Sequence, residues 1–345
     1  MASSIHKVPR NRLRWIPRDL RLAHEYCFFL HDECVRLLAE YEAARAHIVT
    51  VKFRSKVENR NFTKIARTSP IEAMRATGYP DEARRVILNT VTMAMVSDCL
   101  HHLYEALRCM EKRKVVVAHN LLRKPLTDNL MYLSWMLGDE DAFYAAFTAE
   151  DGDAVISRAM ASQRLAILET TLATLPIANV LTASFVHEAL FKRNNPYGLY
   201  GLFQHAVHLV TAKHAELRTE PENFNFIFKN HNDDDLYELL YAVLPQLMLY
   251  LSHVIVGLFD RMRAMDAGAH RAFEVRSILG LYFVEGGENE GYALAQMDNV
   301  RGYRCAVCEH PFSLTPHNAA RLVLADAYRC VRCRRVQPFP YSWLF

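Results

Sequence analysis

The feature that most constrains the fold is a set of four cysteines near the C-terminus, arranged as two C-x-x-C pairs: Cys305 with Cys308, and Cys330 with Cys333. Two such pairs, each presented by a turn, can surround one tetrahedral Zn²⁺ with thiolate ligands. The 21 residues between the pairs leave room for a β-hairpin with an extended tip. We therefore predict a zinc ribbon over residues 301–345 that holds one structural Zn²⁺. The alternative is two redox or free dithiol pairs, although a redox C-x-x-C motif needs a βαβ setting that this segment lacks.

The composition is that of a globular protein with room for one large and one small domain. Of the 345 residues, 51 % are hydrophobic and 23 % are charged, which excludes a mainly disordered chain. No apolar stretch follows the basic N-terminal cluster, so a secretory signal is not expected. The other four cysteines lie in helical patterns, as buried thiols do in a reducing compartment. These observations predict a cytoplasmic location.

Most of the chain has the apolar periodicity of α-helices. A first long helix is predicted over residues 19–48, and another over residues 115–137. Ser69 can cap a helix start, because a Pro follows it and Glu72 can reach back to the cap. Gly138 stands where a left-handed residue commonly ends a helix.

The sequence therefore predicts a mainly α protein, in which a multi-helix antiparallel bundle precedes a small C-terminal β zinc-ribbon module. The predicted divisions are an N-terminal basic segment with the first long helix (1–68), a helical bundle on which helix 19–48 packs (69–265), a linker with short strands (266–300) and the zinc ribbon (301–345). The linker is predicted because glycine becomes frequent after residue 265 and β-like runs occur at 273–275 and 281–284.

The segment 236–259 is long enough to be tested as a membrane span. It has 24 residues and one formal charge, Glu238, but it also contains Pro245, Gln246 and His253. Polar residues at its centre and acidic residues before it favour a buried helix of the bundle. We therefore expect no membrane partner.

The positive charge is unevenly distributed. Residues 301–345 contain seven arginines and two acidic residues, whereas the whole chain has a net charge of only +3. Arg329, Arg332, Arg334 and Arg335 lie in or beside the second cysteine pair. Such a cluster attracts phosphate backbones, so these four residues are predicted to contact nucleic acid or a protein partner. The alternative is an ordinary solvated surface.

A candidate catalytic pair is formed by Arg113 and His119, which stand six positions apart in a helical region. The spacing resembles the Arg-x4-6-His signature of HEPN-type ribonucleases. That resemblance implies a metal-independent ribonuclease, of the toxin or phage-defence kind, in which His119 acts as the base and Arg113 stabilises the phosphate. Such roles suit an imidazole that titrates near neutrality and a permanent positive charge. The same spacing also occurs elsewhere in the chain, for example at Arg18 and His24.

Two further segments, 121–137 and 200–208, resemble helices of a group of uncharacterised bacterial all-α proteins with a HEPN-like relationship. The resemblance covers about residues 85–255, and Asp128 stands where Glu is usual. It implies an antiparallel bundle in which Arg123 and Asp128 pair near a pocket with His208. The alternative is that Arg123 and Asp128 form a structural ion pair that closes a helix contact.

Three functions remain open from the sequence. The first is a helical scaffold or binding protein, capable of forming a homodimer, whose basic zinc module contacts nucleic acid or a protein. The second is the HEPN-type ribonuclease with Arg113 and His119. The third is a ligand-sensing regulator with its pocket around Arg123, Asp128 and His208. The sequence does not decide whether the protein is an enzyme.

Overall fold

The computed structural model describes residues 5–212, 217–228, 230–232 and 234–345, and the fold is mainly α, as the sequence predicts. The α-helices are α1 (Arg21–Ala43), α2 (Lys56–Ala66), α3 (Pro70–Ala76), α4 (Pro80–Met110), α5 (Val115–Lys124), α6 (Leu130–Gly138), α7 (Glu140–Thr148), α8 (Gly152–Ser162), α9 (Arg164–Leu172), α10 (Ala183–Phe191), α11 (Tyr200–Val207), α12 (Asp235–Met262), α13 (Ala267–Glu285), α14 (Glu288–Ala295) and α15 (Pro316–Ala325). Short 3₁₀ turns occupy Arg12–Trp15, Arg18–Leu20, Asp298–Val300 and Tyr341–Leu344. Within the described residues, β1 (Ala327–Arg329) and β2 (Val336–Pro338) form one small antiparallel sheet.

The helix α12 is the centre of the core, where it packs against α1 and α6. By length and composition alone it is long and apolar enough to cross a membrane, and it is the one such helix in the described ranges. However, 83 % of its most apolar window is buried inside the protein by other helices. Its environment is that of a core helix, in line with the interpretation of the sequence.

Helix α1 ends earlier than the predicted segment 19–48 and buries one face against α12 and α4. The cysteines and histidines of that face, His24, Cys27, His31 and Cys34, are all buried. They belong to the core, since the ring of His24 bonds to Tyr241 at 2.5 Å and that of His31 to the Leu100 carbonyl at 3.2 Å.

The predicted start and stop signals have different outcomes. Ser69 caps α3, because its Oγ accepts a hydrogen bond from the Glu72 N–H at 3.3 Å and Pro70 takes the first helical position. Gly138 does not have the positive φ of a left-handed stop. Instead, a Cβ at this position would lie 2.6 Å from Thr171 Oγ1, so close packing of α6 on α9 requires the glycine.

Helices α5 and α6 are joined by one π-helical turn, Pro125–Asn129. A proline inside a helix loses one backbone hydrogen bond and clashes with the carbonyl four residues before it, and a wider turn relieves that clash. The turn is anchored to α4, because Asn129 donates to the Met95 carbonyl at 3.2 Å and to Asp98 at 2.9 Å. The predicted helix 115–137 therefore exists, with a local bulge.

The prediction of a linker with short strands at 266–300 is wrong. Helices α13 and α14 occupy this segment, and both β-like runs, 273–275 and 281–284, lie within α13. Short apolar runs do not distinguish strands from buried helices, and here the apolar side chains face the core of the bundle. Gly286 and Gly287 have φ values of +71° and +62° and separate the two helices, so some of the glycines mark a turn.

The expected hairpin between the cysteine pairs is also wrong, because α15 occupies the middle of that segment. Residues 301–345, called here the C-terminal module, share a continuous hydrophobic core with the helical body formed by α1–α14. The side chain of Arg276 joins the two regions, since it donates to the Val323 carbonyl at 2.7 Å and forms ion pairs with Glu33 and Asp326.

Candidate metal centre

The four cysteine sulfurs of the C-terminal module converge on one point. The Sγ atoms of Cys305, Cys308, Cys330 and Cys333 all lie within 4.8 Å of one another. The Cys305–Cys333 separation is 3.8 Å and the Cys308–Cys330 separation is 3.6 Å. A tetrahedral ion with metal–sulfur bonds of about 2.3 Å keeps its sulfurs about 3.8 Å apart. The cluster therefore has the composition and the spacing to hold one metal ion.

The two cysteine pairs are presented by the same backbone turn. In the first turn, the Glu309 N–H donates to the Cys305 carbonyl at 2.9 Å, and the Cys305 N–H donates to the His310 carbonyl at 2.9 Å. In the second turn, the Arg334 N–H donates to the Cys330 carbonyl at 3.0 Å, and the Cys330 N–H donates to the Arg335 carbonyl at 3.0 Å.

The residue after each pair has a positive φ, +55° at Glu309 and +62° at Arg334. Two unrelated non-glycine residues thus adopt the same uncommon conformation, which costs backbone free energy. Since both turns share this feature, it is tied to the placement of the sulfurs.

Contacts outside the turns hold the two cysteine pairs together. In the sheet, Tyr328 lies opposite Gln337. The Gln337 Oε1 atom accepts a hydrogen bond from the Ala306 N–H at 3.1 Å, so β2 is tied directly to the first turn. On the other side, the rings of Phe312 and Tyr328 stack with centroids 3.8 Å apart. The module thus has a small aromatic core beside the sulfur cluster.

The electrostatics at Cys330 favour a thiolate. Backbone N–H groups of Cys333 and Arg332 point at its sulfur and lower the pKa of Cys330 to about 7, although burial opposes this. At Cys308 the His310 backbone N–H favours the thiolate, but burial and hydrogen bonds to the other three sulfurs outweigh it and raise the pKa of Cys308 to about 11. Thiolates are the form of cysteine that binds metals. Four thiolates at this spacing repel one another, and a bound cation offsets that repulsion.

The four arginines predicted to contact a partner lie in two environments. Arg332, Arg334 and Arg335 are exposed on the second turn and form what we call the arginine ridge. Arg329 is half-buried, and its Nε atom donates to the Arg334 carbonyl at 3.3 Å. Arg329 is therefore bonded to the backbone of the ridge, and it also lines a cavity described below.

The structure argues against Arg113 and His119 as a catalytic pair. His119 is fully buried, its Nδ1 atom donates to the Val115 carbonyl at 2.9 Å, and burial lowers its pKa to about 4. Arg113 forms an ion pair with Asp234 and lies over the ring of Tyr237. A base that attacks RNA must reach the substrate and accept a proton near neutrality, and the His119 imidazole does neither in this conformation.

The residues Arg123 and Asp128 lie together, but His208 does not join them. Both line a cavity of 380 Å³ beside the π-helical turn, whereas His208 is exposed after the end of α11. In the described part of the chain no ion pair links Arg123 with Asp128, and Asp128 accepts a hydrogen bond from Thr127 at 3.1 Å instead. The structural ion pair is therefore not formed.

Other residues of this cavity were not predicted. Arg164, Arg193, Tyr132 and Tyr200 bring charges and hydroxyls to its wall from separate helices and a loop. Burial lowers the pKa of Arg164, whose guanidinium lies 4.3 Å from the centre of the Phe191 ring. No local sequence pattern connects these positions with Arg123.

Comparison with protein-family models, with curated proteins and with solved structures finds no match to this chain. The HEPN-like resemblance therefore stays a prediction.

Proposed function

We propose that the protein binds nucleic acid through its C-terminal module, which one Zn²⁺ bound by Cys305, Cys308, Cys330 and Cys333 holds in shape. An all-cysteine tetrahedral set is typical of structural zinc sites, which have no open coordination position for chemistry. The ion would close the two turns and supply no reaction. This interpretation assigns the metal a role in folding and leaves contact with the partner to the surface side chains.

The observation that carries the proposal is the exposure of the arginine ridge on the turn that presents Cys330 and Cys333. Arg332, Arg334 and Arg335 extend from a backbone that the metal would fix, so less conformational freedom is lost when they contact phosphates. Phosphate contacts position a protein on nucleic acid without selecting a sequence. The proposed activity is therefore backbone binding with weak sequence preference.

The metal is tested by elemental analysis of the purified protein. One Zn²⁺ per chain is expected, falling to none in Cys330→Ser. The matched control is Cys109→Ser, which removes a partly buried cysteine of α4 outside the cluster. Absence of zinc from the parent protein, or its retention in Cys330→Ser, would contradict the assignment.

Nucleic-acid binding is tested by fluorescence anisotropy with a labelled duplex at several salt concentrations. Arg334→Glu combined with Arg335→Glu should weaken binding and reduce the slope of log affinity against log salt by about 2, since each lost phosphate contact removes about 0.9 from the slope for duplex DNA. The control is Arg158→Glu with Lys192→Glu, two exposed positions outside the module that give the same change in net charge. An equal loss in both double variants would show a non-specific charge effect and reject the ridge.

The Arg123 cavity favours a second candidate function, a ligand-sensing regulator. Three guanidinium groups and one carboxylate lie beside an apolar wall that includes Met160 and Phe191. This combination suits a small anion with an apolar part. Native mass spectrometry of the purified protein should reveal a bound mass that Arg123→Ala with Arg164→Ala loses, and a parent protein free of any bound mass would reject this function.

A further inference from the structure

A second cavity, with a volume of 390 Å³, lies between the N-terminal segment and the C-terminal module. Its walls carry basic side chains from both regions: His6, Arg10, Arg18, Arg21, His317 and Arg329. Leu13 completes the lining, and none of the described lining residues is acidic. We call this the arginine cavity. Four guanidinium groups around one small volume repel one another, so the site is built for negative charge.

The backbone that forms the cavity is held in place by a buried carboxylate. Glu25 of α1 is fully buried and accepts hydrogen bonds from the Ile5 N–H at 2.8 Å and the Val8 N–H at 3.1 Å. These bonds fix the N-terminal segment on α1. Arg21 donates to the Ile16 carbonyl at 3.2 Å, which orients one wall. The basic side chains therefore project from an ordered frame.

A buried guanidinium, that of Arg321, lies near the cavity without lining it. Arg321 stands one helical turn after His317 on α15 and is only 4 % exposed. Its Nε and Nη2 atoms have no hydrogen-bond partner among the residues that the structure describes. Buried polar atoms are nearly always hydrogen-bonded, and an exception calls for a specific cause such as an ion bound at the site.

The basic groups of this region are close enough to repel one another electrostatically. The pKa of His6 is lowered by burial and then by the charges of Arg10, Arg321, His317 and Arg329. Arg321 thus lies close enough to share the field of the cavity. The Glu25 carboxylate favours the charge of Arg321, but its oxygens also serve the backbone amides of the N-terminal segment.

The first turn of α15 contributes the His317 side chain to the wall of the cavity. Its backbone adds little positive charge, because Pro316 has no N–H and the Asn318 N–H donates to Thr315 Oγ1 at 3.3 Å. The lining arginines and the unpartnered atoms of Arg321 are therefore the two features that point to an anionic ligand.

We propose that the arginine cavity binds a phosphate group with at least two negative charges, either the terminal phosphate of a nucleic-acid strand or part of a free polyphosphate. Guanidinium forks match the oxygens of phosphate in pairs. The lining offers no Phe, Tyr or Trp among the described residues on which a base could stack, so the phosphate enters and any base stays outside. The proposal does not depend on the arginine ridge, because Arg332, Arg334 and Arg335 do not line the cavity.

The experiment is calorimetric titration of the full-length, zinc-loaded protein with sodium tripolyphosphate at constant ionic strength. Arg10→Gln combined with Arg18→Gln should raise the Kd at least about tenfold, as expected for the loss of charge-assisted hydrogen bonds. Both side chains are exposed, so the fold should persist. Arg334→Gln with Arg335→Gln is the matched control and should change the Kd by less than about twofold. Zinc content is measured after each titration, because tripolyphosphate also chelates metals.

A further variant and a further anion complete the test. Arg321→Gln should weaken tripolyphosphate binding by a similar factor, and citrate should bind at least about tenfold more weakly than tripolyphosphate. The proposal is overturned if tripolyphosphate fails to bind, if the cavity variant binds as well as the parent, or if citrate binds equally well.

Oligonucleotides distinguish the two sources of the phosphate. A preference for a 5′-phosphorylated strand over its 5′-hydroxyl form, lost in Arg10→Gln with Arg18→Gln, identifies a strand end. Tripolyphosphate binding without that preference identifies a free polyphosphate. If duplex binding depends on the arginine ridge but tripolyphosphate does not bind, the proposed function stands and only this inference fails.

Discussion

The helical body and the C-terminal module of this protein are stabilised in different ways. The body is organised around the 28-residue helix α12, whose side chains are buried along most of its length. The module has two three-residue strands and one ten-residue helix around four converging sulfurs. Burial of apolar area stabilises the body, whereas the cysteine turns contain too little apolar surface to fold by that means alone. A bound metal is therefore expected to stabilise the cysteine turns and to have little effect on the stability of the helical body.

The largest effect that would sharpen this contrast is removal of the metal. Structural zinc sites in small modules have apparent binding free energies of about 10–16 kcal/mol, and that free energy contributes directly to folding. Chelation should therefore unfold the two cysteine turns while the body stays helical. Hydrogen exchange is expected to accelerate at the amides of Cys305, Glu309, Cys330 and Arg334, with little change in far-ultraviolet circular dichroism.

The control for chelation is readdition of Zn²⁺, which should restore slow exchange at those amides. Helix α15 offers an internal comparison, since it packs on α13 as well as on the sheet and should be protected longer than the turns. If the turns keep their slow exchange without metal, the module is stabilised by packing, and the contrast between the two regions fails.

The sequence predicted the cysteine cluster more fully than any other site, because all four cysteines come from two local motifs. Each C-x-x-C pair needs only one turn to form, so spacing alone constrains its geometry. By contrast, Arg113 and His119 match a spacing motif, but whether their side chains can reach a substrate depends on tertiary packing. Burial of His119 beneath neighbouring helices could not be inferred from the spacing, which is identical for an exposed pair.

The next largest predicted effect is the dependence of stability on pH that buried histidines of the body produce. Burial lowers the pKa of His119 to about 4, whereas an unfolded histidine titrates near 6.5. Between these values the unfolded state binds a proton that the folded state does not, so the free energy of unfolding falls as the pH falls from about 6.5 to about 4. The total loss from this group is about 3 kcal/mol.

The measurement is urea unfolding of the parent and of His119→Phe across that pH range, with zinc in excess. The variant should lose about 3 kcal/mol less than the parent. Phe203→Leu is the matched control, because it alters the ring packed on His119 without removing a titrating group. It should lower stability at every pH and leave the pH dependence unchanged. A parent and a His119→Phe variant with the same pH dependence would show that His119 is accessible to protons in the folded state.

The arginine cavity could not be predicted from the sequence. Its lining comes from residues 6–21 and from two positions more than 290 residues later. The basic character of both segments was visible, but the linker predicted at 266–300 separated the module from the body. Helix α13 instead brings the module onto α1, since Tyr26 donates to the Ser277 carbonyl at 2.7 Å and Arg276 reaches the Val323 carbonyl. Because the segment 266–300 was predicted to be a linker and not helical, the proximity of the N-terminal segment to the C-terminal module was not expected.

The smallest predicted effect tests the boundary between the two regions. Gly280 of α13 lies where a Cβ would be 2.7 Å from both Leu324 of the module and Tyr26 of the body. The end of the leucine side chain can move, but the Tyr26 ring is buried and held by its hydroxyl. Overpacking costs about 1–3 kcal/mol, and the better helix propensity of alanine returns up to about 1 kcal/mol. Gly280→Ala should therefore lower the free energy of unfolding by up to about 2 kcal/mol.

The matched control is Gly291→Ala in α14, where nothing lies within 4 Å of the added Cβ. That variant gains helix propensity without a clash and should be more stable than the parent by about 0.5–1 kcal/mol. Thermal unfolding of both variants shows whether the two substitutions change the stability of the protein in opposite directions. If Gly280→Ala stabilises the protein as Gly291→Ala does, the module moves away from α13 at little cost and behaves as a separate unit. If it destabilises the protein in one cooperative transition, the C-terminal module and the apolar body unfold together, and their different sources of stability are joined at this contact.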